Sequence, residues 1–129
     1  MFDASNYWIT VVEVPSFLEA ADAILTGEEI EGMIAYVAQR PDDGTVIADT
    51  GGVRFLKWPA CRRHGARVIY YFRDLNMPVY LLTVLPPGER CRFTKSEKAQ
   101  MLGRVEELVH EQWENQISPI LSSSLRPIA

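Results

Sequence analysis

Residues 49–74 read DTGGVRFLKWPACRRHGARVIYYFRD, and the fold of this chain turns on how they are read. Val53–Trp58 and Ala66–Arg73 are rich in β-branched and aromatic residues, which suits two strands, and Pro59–Gly65 (PACRRHG) is a basic loop between them. The same stretch holds Arg54, Lys57, Arg62, Arg63, Arg67 and Arg73, interleaved with Phe55, Trp58, Ile69, Tyr70, Tyr71 and Phe72. Cations packed that densely into strands are either a solubilising outer face or a site for something anionic.

Downstream, Asp74–Pro78 has turn chemistry and Val79–Val84 (VYLLTV) reads as a further strand, so three consecutive strands on short loops predict an antiparallel meander. Upstream, Trp8–Val14 (WITVVEV) reads as a short strand ending at Pro15. Ser16 is placed to cap a helix in which Phe17, Ala20, Ala21, Ile24 and Leu25 recur at helical spacing. Thr26 and Glu29 have capping-box spacing and open a second helix with Ile30, Met33, Ile34 and Val37 on one stripe, stopped by Arg40-Pro41. PDDGTVIADTGG (41–52) reads as loop throughout, and no helix follows its glycines, so it is not a phosphate cradle.

Pro86-Pro87-Gly88 breaks the chain. Thr94 and Glu97 repeat the capping-box spacing ahead of a long helix with Met101, Leu102, Val105, Leu108, Val109 and Trp113 on one stripe, and SSSLRPIA reads as a frayed tail. The predicted order is β, α, α, β, β, β, α, with no internal repeat. That is one α+β domain over residues 1–129.

Composition narrows the function classes. With 129 residues and 47% hydrophobic content the chain can bury a core without a metal or disulfides. No run approaches the length of a membrane span, and MFDASNYWITVVEV carries acid where a secretory signal carries Lys or Arg, so a soluble, cytoplasmic protein is expected. Cys61 and Cys91 have neither a CxxC nor a metal-type spacing and read as incidental thiols; no metal or cofactor is expected.

The net charge of -4 conceals a segregation. Residues 1–50 hold 10 acids and 1 base, residues 51–104 hold 3 acids and 11 bases, and residues 105–129 hold 4 acids and 1 base, for nets of -9, +8 and -3. A single-sign block inside predicted strands sets up a local positive potential. Strand alternation puts Arg67, Ile69, Tyr71 and Arg73 on one face and Val68, Tyr70 and Phe72, expected as core, on the other. The neighbouring strand places Val53, Phe55 and Lys57 opposite Arg54, Leu56 and Trp58, so Lys57 and Arg67 can meet at the sheet surface. Guanidinium groups beside aromatic rings suit single-stranded RNA, the cations for phosphates and the rings for bases; the same chemistry also suits an acidic protein.

DTGGVRFLKW, GARVIYYFRD and VYLLTV, in that order and spacing, resemble the HigB-like branch of the RelE/ParE superfamily, the toxins of bacterial type II toxin–antitoxin pairs. The similarity runs from about Pro41 to Glu107, and the preceding helical hairpin fits the same fold. The resemblance implies a small RelE-like fold: N-terminal strand and helical hairpin, antiparallel three-stranded meander, C-terminal helix. It implies a ribosome-dependent mRNA endoribonuclease that works without metal by 2′-OH attack on the next phosphate. It also implies a cognate helix-turn-helix antitoxin, a toxin–antitoxin hetero-oligomer, the ribosome and mRNA as partners, and no membrane.

Carried over residue by residue, Arg67 matches the arginine of the GxRVIYY motif and Lys57 one half of a basic pair on the preceding strand. Phe55 stands where the other half is usually basic, Pro87 where a cation usually follows the last strand, and Phe93 in the approximate place of a tyrosine. Arg54, Arg62, Arg63, Arg73, Tyr71, Arg90 and Arg92 are the expected RNA-binding set. His64 is the acid–base candidate of the basic stretch, because arginine is too weak an acid to exchange protons. His110, among glutamates, reads as structural. The departures keep two alternatives open: a non-enzymatic toxin such as a ParE-like gyrase inhibitor, and a decayed domain that only pairs with its antitoxin as a corepressor.

Overall fold

A computed structural model describes residues 8–58, 65–86, 92–112 and 114. Its elements are β1 (Val11–Glu13), α1 (Pro15–Ile24), α2 (Gly27–Gln39), β2 (Thr45–Val46), β3 (Val53–Trp58), β4 (Ala66–Tyr71), β5 (Val79–Leu85) and α3 (Lys95–Gln112). The fold is α+β, with the expected order plus one strand. No helix among the described residues is long and apolar enough to cross a membrane.

Both capping boxes form. In α2 the Thr26 hydroxyl accepts from the Glu29 amide at 3.2 Å while the Glu29 carboxylate accepts from the Thr26 amide at 2.8 Å. Thr94 and Glu97 repeat the exchange at 3.1 and 2.9 Å before α3. Each satisfies amides that the first helical turn leaves without partners. The start of α1 differs from expectation. Val14 occupies the cap position and Pro15 the first helical position, where its missing N–H costs nothing. Ser16 is not a cap: its hydroxyl donates to the Leu82 carbonyl at 2.6 Å and pins α1 to β5.

The five strands form one sheet in the order β1-β5-β4-β3-β2. The β3–β4–β5 meander is antiparallel as expected, and β1 joins it parallel to β5, Val11 opposite Val79. β1 is shorter than Trp8–Val14 because the Ile9 amide donates to the Ala38 carbonyl at the end of α2 instead of to a strand. The 41–52 segment is not loop throughout: Thr45 and Val46 pair with Phe55 and Arg54 as β2. Asp49 and Gly51 in the following turn adopt positive φ, 64° and 76°.

The sheet is covered on both faces. Arg54, Leu56 and Trp58 point to the side of α2, where the Trp58 ring meets Tyr36 edge-on at 5.7 Å between centroids. On the other side lies α3: an added Cβ on Gly51 would come within 3.0 Å of Leu102 and 3.8 Å of Val105. Tyr70 fills the α2 face and Tyr71 the α3 face, each at most 2% exposed, with Phe17, Met33, Leu81 and Leu108 completing the core. Burying apolar area on both faces at ~25 cal/mol per Å² is the main stabilising term.

Candidate nucleic-acid interface

Lys57 and Arg67 are directly opposite each other across β3 and β4. Both lie on the α3 face, near the end of the sheet where β4 begins, with Leu85 opposite Arg67 on its other side. Lys57 is exposed and Arg67 half-buried. The pairing follows from strand alternation and register: Phe55 and Lys57 share a face, and Phe55 pairs with Ile69, two residues from Arg67. Two cations directly opposite on one face concentrate positive charge there.

Beside it the chain builds a groove of about 370 Å³. Phe55 from β3 and Phe93 from the segment before α3 line it, Val46, Ile47 and Ala48 form another wall, and Arg92 and Lys98 bring charge. Phe55 and Phe93 each pack partly against the core, which fixes their rings. Among the described residues, Lys57, Arg92 and Lys98 form no ion pair. Phe93 also lines a second, more apolar cavity of about 310 Å³ between α3 and β5, with Ile69, Leu85 and Met101.

The structure sorts the sequence-predicted residues. It brings together Lys57, Arg67 and, one groove away, Arg92. Arg54 lies on the opposite face, where its guanidinium donates to the Asp42 and Gly44 carbonyls, both at 3.0 Å, and sits 5.6 Å from the Phe72 ring centroid. It holds the 41–44 turn. Arg73 lies past the far end of β4, 3.7 Å from the Asp74 carboxylate. Tyr71 is only 2% exposed and stacks on Tyr80 at 6.5 Å between centroids. Burial pushes its hydroxyl pKa up, against a lowering by Arg73. Arg62, Arg63, His64, Arg90, Cys61, Cys91 and Pro87 lie outside the described residues.

Lys98 is a groove residue that sequence reasoning passed over. It stands with Lys95 near the start of α3, where the helix dipole favours acids over cations. Phe55 and Phe93, which stand where the resemblance implies a cation and a tyrosine, line one cavity.

No family model matches the sequence. Among solved structures the chain is similar to E. coli toxin RelE, determined in the free state as a mutant with two arginines changed to alanine. The TM-score is 0.51 at 15% identity, over 75% of this chain and 96% of that one. At that identity the likeness is one of fold: two N-terminal helices, a five-stranded mixed sheet and a C-terminal helix.

Proposed function

We propose that this protein is the toxin of a type II toxin–antitoxin pair, of the HigB-like branch, and cleaves mRNA on the ribosome without a metal. The observation that carries the reading is the Lys57–Arg67 pair, in register on a face that also holds the aromatic and cationic groove. In the reaction the 2′-oxygen bonds to the adjacent phosphorus as the P–O5′ bond breaks, leaving a 2′,3′-cyclic phosphate and a 5′-hydroxyl. Negative charge grows on the phosphate oxygens during attack, and Lys57 and Arg67 stabilise it. His64 is assigned the proton transfer, histidine being the side-chain type whose ordinary pKa lies nearest neutral pH. A cognate helix-turn-helix antitoxin restrains the toxin, and charge complementarity to the basic block of residues 51–104 speeds its encounter.

Phe55 supports a second reading, a non-enzymatic toxin that grips another target with the same face. It places a ring where a cation would strengthen the charge clamp. Purified protein mixed with programmed ribosomes separates the two. The nuclease reading expects mRNA products with cyclic-phosphate ends, and Arg67→Ala slows cleavage by roughly 10²- to 10³-fold, the range for losing one transition-state charge donor. Intact mRNA with folded wild-type protein favours the second reading.

A further inference from the structure

We infer that the groove between β2–β3 and the start of α3 is a subsite for one nucleobase and its phosphate, holding the nucleotide beside the one at Lys57–Arg67. The inference rests on the RNA reading above and specifies which side chains grip the strand. Phe55 and Phe93 line the groove as flat, partly exposed rings, and Arg92 and Lys98 lie with them as cations that form no ion pair among the described residues. Rings for the base and cations for the phosphate are the two halves of single-strand recognition. At about 370 Å³ the groove accommodates a base.

Position supports the assignment. Phe55 and Lys57 alternate to the same face two residues apart, roughly 7 Å along β3, so one nucleotide can reach from ring to clamp. An acidic protein segment is the competing occupant, and it would use Arg92 and Lys98 without needing two rings. This occupant makes Phe55 informative. Where a third cation would add only sequence-blind attraction, a ring adds base-dependent binding and stops the base swinging away from the clamp.

The test uses the whole chain and a short RNA carrying one 2′-deoxy nucleotide at the cleavage position, with analogues made abasic at each neighbouring position in turn. Fluorescence anisotropy at fixed salt measures affinity. Phe55→Ala and Phe93→Ala are each expected to weaken binding by about 5- to 100-fold, the range for losing one base stack, and the loss disappears on one of the abasic analogues. Phe93→Tyr, which keeps a ring, retains affinity and controls for misfolding. Equal losses on intact and abasic RNA, or no loss, overturn the subsite. Failure of the cleavage reading is separate: base-dependent binding with uncut mRNA on ribosomes keeps the subsite and removes the nuclease, while cleavage with base-independent binding does the reverse.

Discussion

Tyr70→Phe tests whether the turn at 41–44 is held as described. Tyr70 is fully buried; its hydroxyl accepts from the Gly44 amide at 2.8 Å and donates to the Pro41 carbonyl at 2.8 Å. The phenyl ring keeps the packing, so the cost is two hydrogen bonds and two backbone groups left buried without partners. At about 1–2 kcal/mol each, the variant loses about 2–4 kcal/mol. For a chain of this size that lowers the melting temperature by roughly 10 °C, read by circular dichroism together with the urea midpoint. Alkaline pH supplies a second readout. Burial pushes the Tyr70 pKa up to about 12, against lowering by the Gly44 hydrogen bond and Arg54. The unfolded chain ionises first, near ~10, so the contribution is intact below that pH and is lost as pH rises through about 12. Tyr70→Phe removes this part of the alkaline slope and leaves the part due to the raised Tyr71 and Tyr80. A loss under ~0.5 kcal/mol with an unchanged slope refutes the reasoning.

Thr94→Ala removes the side-chain acceptor of the second capping box and is expected to cost about 1 kcal/mol in denaturant melts, with less helix signal. Gly51→Ala puts a side chain at φ 76° and within 3.0 Å of the Leu102 side chain. The expected loss is about 1–2 kcal/mol, and Gly51→Asn, which tolerates that backbone better, loses less in the same assay. Lys57→Ala is expected to weaken single-stranded RNA binding similarly for all sequences and to reduce the salt slope of log affinity by about 0.7, measured by titration at several salt concentrations.

Much of the fold was legible because its signals are local. The spacings Thr26–Glu29 and Thr94–Glu97 announced two helix starts, and the residues of Val53–Trp58 announced a strand with the observed bounds. What failed depends on distant partners. Nothing in Thr45–Val46 distinguishes a two-residue strand from the turn residues around it until β3 lies alongside. Likewise, the parallel β1–β5 pairing joins residues far apart in sequence. Ser16 has cap chemistry, yet Pro15 moves the helix start and frees its hydroxyl for Leu82.

The site divided along the same line. Alternation correctly put Arg67, Ile69 and Tyr71 together, but the inference that their face was open failed midway along β4, because α3 covers Tyr71 and leaves Arg67 at the end half-exposed. A period of two reports sides of a sheet, not what lies on each side. Alternation puts Arg54 on the face opposite Lys57, and there it engages the Asp42 and Gly44 carbonyls, contacts that no spacing announces. The Phe55–Phe93 groove needed tertiary structure to become visible, since 37 residues of sequence separate its two rings.

In the proposed reaction the Lys57–Arg67 face handles the phosphates of the RNA being cleaved. Mapping mRNA 5′ ends after induced expression, with wild type beside Arg67→Ala at matched soluble levels, tests that role most directly. New ends in phase with the codons of translated messages are expected, and they disappear in the variant. Growth arrest with no new ends, or ends that persist undiminished in Arg67→Ala, contradicts that role.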